Sequence, residues 1–65
     1  MTTYTMKPVR ELRAGDVTRW YEVKADAEVD PIHGEPTYRV LVRHADTGHT
    51  DYVRGPGNEP VPVAS

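Results

Sequence analysis

Residues 44–51 read His-Ala-Asp-Thr-Gly-His-Thr-Asp, placing two imidazoles and two carboxylates within eight positions. These are ligand types that hold zinc-like metals. Spacing decides whether they can converge. Asp46-Thr47-Gly48 has the composition of a tight turn, and a type I turn followed by a left-handed Gly48 makes a bulged hairpin. In that register His49 faces Ala45, so His44 and His49 point to opposite faces, and Asp46 is used by the turn. No metal site and no cofactor are expected. Catalysis has equally little to work with: there is no cysteine, the single serine is Ser65, and no carboxylate pair falls on neighbouring strands beside an apolar pocket. The expectation is a protein that is not an enzyme.

Arg39, Leu41 and Arg43 alternate along one strand face, and Trp20, Tyr21, Tyr38 and Tyr52 offer rings on which bases could stack. A small nucleic-acid-binding barrel is therefore the alternative reading. Four features weigh against it. The net charge is -2, whereas nucleic-acid binders draw on a basic excess. Glu22, Asp26 and Glu28 make an acidic strand face that repels phosphate. The tyrosines are wanted inside a core that has no Phe. Arg54 is expected on the face opposite Arg39 and Arg43, which breaks any positive stripe. The favoured reading is a non-catalytic interaction module that binds a partner protein or a second copy of itself. Its contact residues are Trp20, Arg39, Leu41 and Arg43, since Trp and Arg on a rigid sheet commonly anchor interfaces. Trp20 has a competing role as a lid over one end of the core.

Turn and strand chemistry sets the elements that must carry these residues. The chain of 65 residues forms one domain, and folding at this size buries only about 60% of the unfolded surface. Gly15 supplies a positive φ ahead of a β-branched and aromatic run, and Asp16 can bond nearby backbone donors. A short strand over 16–18 leads into a second over 19–29, where Tyr21, Val23, Ala25, Ala27 and Val29 alternate with Trp20 and charged residues. The Pro- and Gly-containing stretch 30–36 is a loop. A third strand over 37–45 places Tyr38, Val40 and Val42 inward. The fourth, over 49–54, pairs with it so that Arg43 faces Asp51, Val42 faces Tyr52 and Leu41 faces Val53. The unbulged register would set Arg39 against Arg54, an unfavourable like-charge pair. Residues 55–60 end the ladder, and Val61-Pro62-Val63 forms a closing edge strand. Residues 1–8 are an N-terminal arm, 9–14 a single-turn lead-in, and 64–65 a frayed tail.

This layout resembles small SH3-like β-barrels: Leu12-Arg13-Ala14-Gly15-Asp16-Val17 leads into an aromatic strand, and a Tyr38–Val42 to Asp51–Val53 hairpin precedes a closing strand. The Leu-x-x-Gly-Asp-Val start is also similar to that of short proteins of actinobacteria and their phages. The resemblance implies an all-β barrel of about five short antiparallel strands with a binding surface on its loops or open face. It carries no catalytic residue onto this chain. Neither a leader segment nor a membrane span is legible, and the absence of cysteine favours the cytoplasm, or the host's cytoplasm for a phage protein.

Overall fold

Alternation and turn chemistry build strands over most of the chain. The computed structural model describes residues 3–65, and Met1 and Thr2 of the expected arm lie outside them. Six strands form: β1 (Tyr4–Pro8), β2 (Tyr21–Val23), β3 (Glu28–Val29), β4 (Thr37–His44), β5 (Thr50–Pro56) and β6 (Pro60–Ala64). A single 3-10 turn, Val9–Glu11, follows β1. The fold is all-β. β1 and β6 make a two-stranded antiparallel sheet, and β4 is the centre of a four-stranded one, with β5 on one side and β2 and β3 on the other. Neither sheet closes into a barrel.

Gly15 has the positive φ expected of it, at 98°, and the Asp16 carboxylate accepts the Arg13 N–H at 2.9 Å. Only an isolated Val17–Glu22 bridge stands where the short first strand was expected. The second strand is broken as well. After Lys24 the chain leaves β4, because other partners take its polar groups: Asp26 accepts the Ala14 N–H at 3.0 Å, and the Ala27 N–H donates to the Leu12 carbonyl at 2.9 Å. β3 then rejoins β4 with the register advanced by two residues.

The β4–β5 hairpin corrects the expected register. Gly48 is left-handed, with φ 75°, but the loop holds four residues. The Gly48 N–H donates to the His44 carbonyl at 2.9 Å, and the His44 N–H donates to the His49 carbonyl at 2.8 Å. His49 turns its own N–H to the Thr47 hydroxyl at 3.3 Å, so no bulge is needed to satisfy it. The pairs are therefore Val42 with Asp51, Leu41 with Tyr52, Arg43 with Thr50 and Arg39 with Arg54. A shift of one residue moves every β5 side chain to the other face. Tyr52 consequently lies outward, 37% exposed. β5 also runs on through Gly55 and Pro56, which pair with Tyr38 and Thr37, although 55–60 had been expected to end the ladder.

The core is thin: Leu12 and six valines (Val9, Val23, Val40, Val42, Val61, Val63) are buried, with Tyr21, Ala27, Tyr38 and Val53 packed against them. The overall extents of 37 × 24 × 14 Å agree with a flat molecule. The closing strand expected over 61–63 is present in β6, but Tyr4–Pro8, expected as an arm, and Ala64, expected in a frayed tail, join it to build the β1–β6 sheet, in register from Tyr4–Ala64 to Pro8–Pro60. Beyond it the Ser65 N–H donates to the Thr3 carbonyl at 2.9 Å, and the Ala64 N–H donates to the Val17 carbonyl at 2.7 Å.

Candidate functional site

Residues directly opposite in an antiparallel ladder share a face. On the side of β4 away from the core this brings together Arg39, Leu41 and Arg43 with Tyr52 and Arg54 of β5, and with Glu22 and Glu28 of β2 and β3. Three of the four expected contact residues are thus neighbours. Arg54 joins them, contrary to the expected parity.

Two arginines face each other here, and the reason they can lies in their surroundings. Arg39 is bound to the Glu28 carboxylate through Nη2 at 3.0 Å and Nε at 3.1 Å. Arg54 reaches past β4 to Asp30, donating from Nε to Oδ2 at 3.0 Å. The Tyr52 ring lies under both guanidinium groups, 4.4 Å from that of Arg39 and 5.9 Å from that of Arg54. Each cation has its own anion and shares one aromatic ring, an arrangement in which cation–π attraction adds to the ion pairs. Arg43, by contrast, has no carboxylate within 4 Å among the described residues, and its guanidinium lies near Gly48.

Asp30 anchors the far end of this row, a role that the loop composition of residues 30–36 does not disclose. Its side chain has no exposed surface. One oxygen accepts the Ile32 N–H at 2.9 Å, and the other is shared by His33 Nδ1 at 2.8 Å and Arg54. The hydrogen bond from His33, followed by that from the Ile32 N–H, lowers its pKa to about 2. Burial opposes this, but so small a protein surrounds the carboxylate with little low-dielectric material. His33 itself is mostly exposed, its side chain at 61%, so a buried acid holds one nitrogen of a largely exposed imidazole. An Asp-Pro pair followed by His and Gly is the sequence signal for such an Asx-type turn.

Trp20 stands apart from Arg39. Its carbonyl accepts the Ala45 N–H at 3.0 Å, and it borders a shallow recess with Arg19, His44, Ala45 and Asp46 at the hairpin end of the sheet. Four residues of strand put Arg39 roughly 13 Å from Arg43, with Trp20 beyond. At 55% exposed it is no lid on the core. The corrected register also sets His44 directly opposite His49, where the bulged pairing would have separated them. Among the described residues no three His, Asp or Glu side chains come together in a way that could hold a metal. His44 instead packs edge-on against Tyr21, ring centroids 6.3 Å apart.

No helix is long and apolar enough to cross a membrane among the described residues. No protein-family model, curated protein or solved structure matches the chain. What fold and site define is a class: a small all-β protein of two antiparallel sheets with a braced Arg–Tyr–Arg row on an open sheet face.

Proposed function

We propose that this chain is a non-catalytic interaction module that binds a partner protein through the outer face of the four-stranded sheet. The observation that carries the reading is the Tyr52 ring within cation–π reach of both Arg39 and Arg54, each braced by a carboxylate. Tyr and Arg are the residue types that dominate interface energetics. Side chains already fixed before binding lose less freedom on association. Leu41 supplies an apolar centre, Arg43 a free cation at the rim, and Trp20 a second anchor near the hairpin. The pairing of the terminal strands and the long β4–β5 hairpin support reading the two sheets as an opened SH3-like layout. The absence of cysteine supports work in a reducing cytoplasm.

Nucleic-acid binding is the second reading, favoured by the placing of Arg39, Arg43 and Arg54 on one face. The local charge balance speaks for protein: Glu22, Glu28 and Asp30 share that face, and two of the three arginines are already paired. Capture from native-host lysate with the tagged full chain, with and without nuclease, tests this. The expected result is a protein partner retained after nuclease and by Glu11→Ala, and lost by Tyr52→Ala and Arg43→Glu with unchanged circular dichroism. Capture abolished by nuclease, followed by a shift of DNA or RNA in an electrophoretic titration at low salt, would establish the second reading. Equal capture by all variants would remove this face from the function.

A further inference from the structure

β1 has β6 on one side and no strand on the other among the described residues. The hydrogen bonds from Ser65 to Thr3 and from Val9 to Glu59 fix the parity of the ladder. Odd-numbered β1 residues exchange hydrogen bonds with β6, so the N–H and C=O groups of Tyr4 and Met6 point to the free edge. Open edges usually carry charges, prolines or bulges that discourage pairing with other chains. The free edge of β5 conforms, with Asp51, Arg54 and Pro56 along it. β3 is two residues long, and the far sides of β2 and β6 are met by Val17. β1 is protected only at its end, by Pro8, and its stretch Tyr4–Met6 carries no charge or proline. The one charge of β1, Lys7, is held by Asp16 at 2.8 Å.

The outward face of the same sheet has no charged residue of its own. Tyr4, Met6 and Pro8 stand opposite Ala64, Pro62 and Pro60. Met6 is 59% exposed. One cation touches this face, the Arg19 guanidinium 5.6 Å from the centre of the Tyr4 ring.

We propose that β1 is a self-pairing edge, through which two copies of this chain associate antiparallel about a two-fold axis at Thr5. In that register Tyr4 lies opposite Met6 of the second copy, and all four free donors, two from each copy, find acceptors. Lys7 meets only Thr3 of the second copy, so the two Lys7 side chains stay apart. The outward apolar stripes of the two sheets become continuous. A second copy suits this edge better than a charged peptide, because β1 itself offers no unpaired charge, its Lys7 being held by Asp16. A stable specific interface buries about 1,000 Å² or more in total, roughly an eighth of each copy's 4304 Å² surface. A five-residue edge supplies less than that, so the dimer is a weak, concentration-dependent one. The proposal stands apart from the Tyr52 face, which lies on the other sheet.

The chain has no cysteine, so Thr5→Cys gives a single thiol at the two-fold axis. Strand pairing brings the two Cα atoms there to about 4.5 Å, within disulfide reach. Air oxidation of Thr5→Cys is expected to give a disulfide dimer faster than Thr50→Cys on the β5 edge. Sedimentation of the native chain is expected to show a monomer–dimer equilibrium at concentrations up to about 1 mM. Met6→Pro removes a donor that β6 does not use, and Met6→Lys adds an edge charge; both are expected to be monomeric with a native circular dichroism spectrum. A native chain monomeric throughout that range overturns the proposal. So does equal crosslinking of the two cysteine variants, or self-association unchanged in a folded Met6→Lys protein.

Discussion

Gly57→Ala should destabilise the protein, although its backbone alone argues the reverse. Gly57 lies outside the left-handed region, and at such positions Gly→Ala gains about 0.4–1 kcal/mol by restricting the unfolded chain. Space decides otherwise. A Cβ on Gly57 would lie 2.6 Å from Cδ1 and 2.7 Å from Cε1 of Tyr38, with the Arg10 Cβ at 3.4 Å behind it. Carbon atoms prefer about 3.5–4.0 Å, so the ring must retreat by roughly 1 Å. Retreat is hindered because Tyr38 packs on the core and the Gly57 backbone is tied on both sides, to the Pro36 carbonyl at 2.8 Å and the Arg10 N–H at 2.9 Å. Overpacking of this kind costs about 1–3 kcal/mol. The net loss is about 0.5–2 kcal/mol, a fall in Tm of roughly 4–15 °C for a domain of this size. Urea unfolding followed by circular dichroism reads it directly. In a Tyr38→Val background, Gly57→Ala should become neutral or stabilising, which ties the effect to the ring. A Gly57→Ala midpoint equal to or above that of the native chain would refute the packing of Tyr38 on Gly57.

Acid should weaken the fold through Asp30. Its folded pKa of about 2 lies below the ordinary 3.8, so the stabilisation is complete above about pH 4 and is lost as the pH falls toward 2. Asp30→Asn should flatten the acid limb of an unfolding midpoint plotted against pH, and an unchanged limb would remove Asp30 as its source. Asp16 adds in the same direction: burial raises its pKa, but Lys7 and the Arg13 N–H together hold it below the usual value. Val42→Ala, at a position with no exposed surface, should cost about 2–3 kcal/mol from two lost methyl groups plus the cavity they leave, measured by urea unfolding. Trp20→Ala should cost less than about 1 kcal/mol in the same assay, as expected of an exposed side chain; a larger loss would make Trp20 structural.

Local chemistry carried much of the reading. Gly15 and Gly48 take positive φ because no other residue does so without steric cost, and β4 follows directly from its alternation. Val40 and Val42 point inward, and Arg39, Leu41 and Arg43 outward, because side chains in a strand alternate whatever its neighbours do. These statements involve residues a few positions apart, and a sequence holds them whole. The hairpin register was different. A bulged three-residue loop and a four-residue loop both end in a left-handed Gly, so the local pattern is shared and one residue of slip reverses β5.

The rule against like charges then pointed the wrong way, since the anions that relieve Arg39 and Arg54 come from Glu28 and Asp30, brought in by β3 from another part of the chain. Tertiary structure likewise decided the burial of Asp30, the break after Lys24 and the pairing of residues 4–8 with 60–64. Each depends on which distant backbone donor or acceptor satisfies a group that must be satisfied once water is excluded. The sequence alone determined the turns and the strand and faces of β4, where local alternation is unbroken; that residues 4–8 are a strand, where 19–29 breaks, which strands meet and in what register were settled only when all of them competed for the same small core.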